Sequence, residues 1–317
     1  MSDPLTSERI NVDQVREDLT DEIAIALGLS PKSLARRLLA PLVRLPTQRF
    51  AELLSELDLR ARRESAREAA RWLMSRMVAG VRAYGAERVP ATGPLLLACN
   101  HPGAVDGLAA LSEMHRSDIK LVISGIPIFH HFPAGKQLMI YVPRQGAGRM
   151  APVREAIRHL ETGGSVLIMP GGHVEPDPAF LPGAREALSE WSPSVETLLR
   201  RVPETQVQVT IISGVLSPSW LRHPLVRLRK GQREKQLLAE FLMIIQQTVL
   251  RRREPLTPEV TFGQPVTAAE LRGGDGSRDL MPALIEHAGA VLDEHMARIG
   301  AAAKHGLDGC PVGAAGI

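Results

Sequence analysis

The residues best equipped for chemistry in this chain are His101 and Asp106. A neutral imidazole can take a proton from a hydroxyl, and a carboxylate beside it fixes the tautomer and stabilises the imidazolium that forms. The pair lies in the run Asn100-His101-Pro102-Gly103-Ala104-Val105-Asp106. A regular helix has 3.6 residues per turn, so it would not set positions five apart side by side. Pro102 and Gly103 offer a bent path that can bring the carboxylate round to the ring. The same residues have a plainer use, with His101 closing a turn and Asp106 capping the start of a helix. The spacing alone fits both.

The flanking segments say where the pair sits. Leu95-Leu96-Leu97-Ala98-Cys99 is a short apolar run opened by Gly93-Pro94, the pattern of a buried strand. Gly107 to Met114 reads as a helix, with Leu108, Leu111 and Met114 on one face. Pro102 suits the first turn of that helix, where its missing N–H costs nothing. His101 therefore belongs where the carboxyl end of a strand turns into a helix, the crevice in which open α/β sheets bind ligands.

The 317 residues are 44% apolar and only 3% aromatic, a length that fits one large α/β domain with an appendage, or two domains. Strands are expected at Leu95–Cys99, Ile119–Ser124, Leu138–Val142, Ser165–Met169, Val207–Ile212 and Val260–Phe262. Helices are expected between them at Gly107–Met114, Gly148–Glu161, Arg185–Trp191, Val195–Arg201 and Arg233–Leu250. This alternation gives an α/β fold: a mixed, mostly parallel sheet flanked by helices, with an N-terminal helical cap. The cap covers residues 1–84, with residues 1–20 loosely held. It has short helices at Asp21–Leu27, after Ser30-Pro31 and at Gln48–Leu57, then a longer one from Glu64 to Tyr84. Arg62, Arg63, Arg67, Arg71 and Arg76 crowd that last helix and read first as a solvated face, second as a surface for an acidic partner. Residues 85–299 form the α/β domain, and the glycine-rich residues 300–317 a flexible tail.

Composition excludes several classes. A net charge of +3 is too small to argue for nucleic acid, and no nucleic-acid motif is present. Cys99 and Cys310 do not suggest a disulfide framework, so a reducing, cytoplasmic setting is expected. His130-His131 lacks a further ligand at a suitable spacing, so no metal is expected. No apolar run is long enough to span a bilayer, and Met1–Leu19 is too acidic and polar for a signal peptide.

Asn100-His101 followed by Asp106 resembles the H-x-x-x-x-D signature of the glycerolipid acyltransferases, which include the 1-acylglycerol-3-phosphate and glycerol-3-phosphate enzymes. Further blocks follow in the family's order over residues 85–265. Gly125 to Phe129 and Leu138 to Arg144 resemble the second block, in which a strand delivers an arginine to the acceptor, so Arg144 would clamp a phosphate, or else make a surface salt bridge with a neighbouring acid. Ser165 to His173 resembles the third block, F-P-E-G-T-R, through Met169-Pro170 and Gly172. There Gly171 replaces the family's glutamate, His173 its threonine and Val174 its arginine. Two glycines can still offer a backbone N–H nest, or simply make a turn. Glu175 stands close enough to act for the missing acid. Val207 to Gly214 resembles the last strand, without its usual proline.

The resemblance implies an acyltransferase that moves a fatty acyl group from acyl-CoA or acyl carrier protein to a glycerolipid hydroxyl, such as that of a lysophospholipid. His101 and Asp106 would be catalytic; Asn100, Arg144, Gly171, Gly172 and His173 would bind substrate. No cofactor is implied. Because Val174 replaces the third-block arginine, a non-phosphorylated hydroxyl or amine acceptor is a second expectation, and a catalytically silent lipid- or carrier-binding protein a third. Trp220 to Lys230 alternates apolar and basic residues, and Arg251-Arg252-Arg253 follows the next helix. This stretch suits either peripheral contact with the inner face of a membrane or an ordinary loop and core helix.

Overall fold

The computed structural model describes residues 9–26, 28–143, 150–250, 255–273 and 276–308. The chain opens with α1 (Val12–Ala26), α2 (Leu34–Arg63) and α3 (Ala66–Met77), then enters the sheet at β1 (Arg82–Tyr84). It continues through β2 (Leu95–Cys99), α4 (Asp106–Glu113), β3 (Ile119–Ser124), a 3-10 turn (Pro127–His131), α5 (Gly135–Leu138) and β4 (Met139–Val142). After α6 (Met150–Glu161) come β5 (Ser165–Ile168), α7 (Ala184–Leu188), α8 (Ser194–Arg201) and β6 (Gln206–Ser213). Short α9 (Pro218–Leu221) and α10 (Pro224–Arg227) lead to the long α11 (Gln232–Leu250). The last elements are β7 (Glu259–Phe262), β8 (Val266–Thr267), α12 (Ala268–Leu271) and α13 (Leu280–Asp308).

The strands form one sheet in the order β1-β7-β6-β2-β5-β3-β4, with β8 also on β6. Every pairing is parallel except those of β7 and β8 with β6. This is the expected mixed, mostly parallel α/β sheet flanked by helices. Its central strand β2 reads as an unbroken apolar run because helices cover both faces. Leu95, Leu97 and Cys99 of β2 pack with Leu73, Met77, Ala109, Leu111 and Met243 on one side. Leu96 and Ala98 pack with Leu160, Leu198, Leu284 and Leu292 on the other. Because β2 lies between β5 and β6, the segments that leave these strands converge on one crevice.

The N-terminal helices differ from expectation in their joins. Residues Leu34 to Arg63 make one helix that runs through Pro41 and Pro46. A helical proline frees the carbonyl four residues earlier, here those of Arg37 and Leu42. Both residues are exposed, so water can take up those carbonyls. Ser33 caps this helix at the Arg36 N–H, and the Arg36 guanidinium ties α2 to Glu17 and Asp21 of α1, each at 2.7 Å. The helix expected from Glu64 to Tyr84 stops at Met77, and Arg82–Tyr84 pairs with β7 instead. The arginine face of α3 is also put to internal use. Arg67 and Arg71 donate to the Ser112 carbonyl of α4, and Arg76 lies over the Trp72 ring. At the other end, α13 continues to Asp308, beyond the point where a flexible tail was expected; Ala301 to Lys304 favour helix.

Candidate active site

The turn after β2 makes the bend that its sequence allows. Asp106 is the first residue of α4 and is only 1% exposed. Its Oδ2 lies 2.8 Å from Nδ1 of His101 and accepts the Gly103 N–H at 3.0 Å, while Oδ1 accepts the Gly107 N–H. The two uses read from the sequence are therefore one arrangement. The carboxylate satisfies amides at the helix start and fixes the imidazole with the same atoms. With Nδ1 held, Nε2 is the ring nitrogen left for a substrate, and the His101 side chain keeps 26% of its exposure.

Two further acids converge on His101 from distant parts of the chain. Glu175 follows β5; its N–H donates to the His101 carbonyl at 2.7 Å, and its Oε1 accepts from the Trp191 indole at 3.2 Å. Glu240 comes from α11 and accepts the Ala104 N–H. Burial raises Glu175 to about 8 and Glu240 to about 7. Burial also works against the imidazolium of His101, but the negative charge of Asp106, then of Glu240 and Glu175, outweighs it and raises its pKa to about 9. The site is thus a proton-rich pocket in which a cationic imidazole is stabilised.

The other sequence-selected residues are placed as follows. Asn100 is buried and turned to the sheet: its amide donates to the Ile212 carbonyl at 2.9 Å and accepts the Ile212 N–H at 2.7 Å. It fixes the end of β2 against β6, and thereby where His101 begins. Gly172 adopts a left-handed φ of 66°, and its N–H closes a turn onto Met169 O at 3.0 Å, so that amide is committed within the turn. A Cβ on Gly171 would run into the Glu175 carboxylate. That carboxylate occupies the space a side chain at 171 would enter. His173 faces Glu190 at 3.0 Å and the Gly171 carbonyl at 2.6 Å, partners other than His101. Arg144 lies outside the described residues.

Asp177 was not singled out from the sequence, yet it binds the crevice together. Its buried carboxylate accepts N–H groups from Ala179, Gly214, Val215 and Leu216, joining the segments that leave β5 and β6. Burial raises its pKa to about 6. Gln236 and Glu240 were also missed. A signal for them exists, because Gln236, Glu240 and Gln247 are polar residues on the otherwise apolar side of α11 that carries Met243. Among the described residues, no group of His, Cys, Asp and Glu is arranged to hold a metal ion, and no helix is long and apolar enough to cross a membrane.

No protein-family model matches the chain, and a comparison with curated proteins finds no match. Among solved structures, the chain is similar to the 1-acyl-sn-glycerophosphate (LPA) acyltransferase PlsC from Thermotoga maritima. The superposition covers 92% of this chain and 96% of that one, at 14% sequence identity and a TM-score of 0.45.

Proposed function

We propose that this chain is an acyltransferase that moves an acyl group from an acyl thioester, of coenzyme A or of acyl carrier protein, to the hydroxyl of a glycerolipid acceptor. The observation that carries the reading is the buried Asp106 carboxylate 2.8 Å from Nδ1 of a part-exposed His101, at the carboxyl end of a central strand. Asp106 keeps the proton on Nδ1, so Nε2 takes the proton of the acceptor hydroxyl. The oxygen attacks the thioester carbonyl, and the tetrahedral intermediate collapses with loss of the thiolate. The imidazolium returns its proton to that thiolate. No acyl-enzyme is required. The amides of Gly103, Ala104 and Gly107 already serve carboxylates, so they are not the oxyanion donors.

The third block favours a particular acceptor. Val174 stands where the family pattern has an arginine, so that block supplies no cation for a phosphate. An acceptor whose hydroxyl is remote from any phosphate, or one without a phosphate, fits these surroundings better than lysophosphatidic acid. Access from a membrane surface is consistent with the exposed Leu34, Leu38, Leu42 and Leu45 of α2, beside the exposed Lys32, Arg37 and Arg44. Leu225 and Leu228 of the Trp220–Lys230 stretch are exposed as well.

Thiol release from palmitoyl-CoA tests the reading, measured alone and with lysophosphatidic acid, lysophosphatidylcholine or monoacylglycerol. Acceptor-dependent release is expected, strongest with the uncharged glycerolipid. Binding of the thioester without release by any acceptor would instead indicate a silent carrier-binding protein.

A further inference from the structure

The turn that carries His101 is held from outside its own segment. The His101 carbonyl accepts from Glu175 N–H, and the Pro102 carbonyl accepts from the Gln236 amide at 2.6 Å. The same Gln236 nitrogen reaches the Glu175 carbonyl at 2.6 Å, so one side chain joins the two loops that form the crevice. Ala104 N–H donates to Glu240. Gln236 and Glu240 stand about one turn apart on α11 and are 2% and 7% exposed. Packing alone would favour apolar residues here, as at the neighbouring Ala239 and Met243, because a buried carboxylate or amide is costly unless it is hydrogen-bonded. The approach is close. A Cβ on Gly103 would lie 2.8 Å from Glu240 Oε1 and 3.2 Å from the Val215 side chain.

We propose that Gln236 and Glu240 are positioning residues: α11 sets the path of the His101 turn, and with it the reach of the imidazole, from outside the strand–turn–helix unit that carries the base. The inference rests on His101 as general base, and its test separates the two. The charged groups that bear on His101 are Asp106 from α4, Glu175 from the loop after β5 and Glu240 from α11. Removing the charge of Glu240 alone leaves the other two in place, so His101 should then titrate at a lower pH. A residue that merely supports the fold would not move that midpoint.

The test uses the full chain and three variants, Glu240→Gln, Glu240→Ala and Gln236→Ala. NMR follows the His101 ring through a pH titration and the Ala104 amide proton at fixed pH. Thiol release from palmitoyl-CoA gives kcat and KM. Glu240→Ala should lower kcat roughly a hundredfold, the cost typical of a misplaced reacting group, with little change in the thioester KM. Gln236→Ala should also lower kcat. Glu240→Gln should recover most of the loss suffered by Glu240→Ala, since its amide oxygen can accept the Ala104 N–H. It should still lower the His101 midpoint and move the acid limb of kcat/KM with it. An unchanged midpoint in Glu240→Gln, or full kcat in Glu240→Ala, overturns the proposal. If Glu240→Ala does not fold, the Glu240→Gln midpoint decides. If no protein, wild type included, transfers acyl groups, the acyltransferase reading falls, while the Ala104 amide and the His101 midpoint still judge the clamp.

Discussion

Two histidines, one buried and one part-exposed, meet the end of the same strand and are treated in opposite ways. His101 follows Asn100, which is fixed to Ile212 of β6; His295 of α13 reaches the next residue, Ser213. His295 has no exposure, and its ring nitrogens lie 2.8 Å from the Thr261 hydroxyl and 2.7 Å from that of Ser213. Its partners are neutral, so burial alone acts and lowers its pKa to about 4. His101 is also buried in part, yet its carboxylate neighbours push it to about 9. Burial therefore does not decide what a histidine does; the charge of its partners does. The hydroxyl-bonded ring is a neutral tether between α13 and the sheet. The carboxylate-bonded ring holds a proton and keeps part of its surface exposed.

The largest effect should come from breaking the charged member of this pair. His101→Ala removes the base and little core volume, so activity should fall roughly a hundred- to ten-thousand-fold in a variant that still folds, with some loss of stability because buried Asp106 loses its partner. A folded variant with near-normal thiol release would sink the mechanism. The pH profile sharpens the point. Only the neutral imidazole can accept the hydroxyl proton, so kcat/KM of the unaltered chain should rise with pH and level off near the His101 pKa of about 9. Asp106→Asn should move that limb to lower pH, because it deletes the nearest negative charge.

The neutral member should be visible in stability instead. The folded-state pKa of His295, about 4, lies below the ordinary 6.5, so the unfolded chain takes up a proton that the folded chain refuses. Its contribution is present above pH 6.5 and is lost as pH falls from 6.5 towards 4. The loss is on the order of 3 kcal/mol for a shift of this size. His295→Gln removes the titration, so denaturant unfolding of that variant should show a shallower decline over the same range. An equal slope in both proteins would mean that other groups carry the acid sensitivity.

The His101–Asp106 end of this comparison was legible in the sequence, and the device that holds it was not. Leu95–Cys99 stands out because a strand covered on both faces is continuously apolar. His101 and Asp106 stand out because a strand–turn–helix junction localises them. Arg82–Tyr84 was absorbed into a helix because an edge strand so short has no period of its own. The helix after Ser30-Pro31 and the one at Gln48–Leu57 were expected as two, and the structure joins them in α2, because whether Pro41 and Pro46 are tolerated depends on which side faces water. Glu240 and Gln236 lie more than 130 residues from the turn they hold, and only the folded chain shows where α11 is laid down. Glu175 was seen as a nearby acid, but the space it fills beside Gly171 is a three-dimensional fact.

That space gives the smallest test, on the acid side of His101. Gly171 and Gly172 are adjacent but constrained differently. Gly172 has a φ of 66°, where any side chain is strained, so Gly172→Ala should cost about 1 kcal/mol of stability through the backbone alone. Gly171 is not among the glycines with positive φ, so alanine suits its backbone, but the new methyl would meet the Glu175 carboxylate. Gly171→Ala therefore displaces Glu175 without altering its charge. If Glu175 acts in place of an acid at position 171, moving it should weaken the acceptor step by about 1 kcal/mol, roughly fivefold in acceptor kcat/KM. The thioester KM should not change. Gly172→Ala should show the reverse pattern, with lowered stability and a smaller kinetic effect. Should Gly171→Ala leave acceptor kinetics untouched while its Glu175 carboxylate has moved, as read from a shifted Trp191 indole N–H resonance, then Glu175 only braces the loop and the acceptor is oriented by other residues.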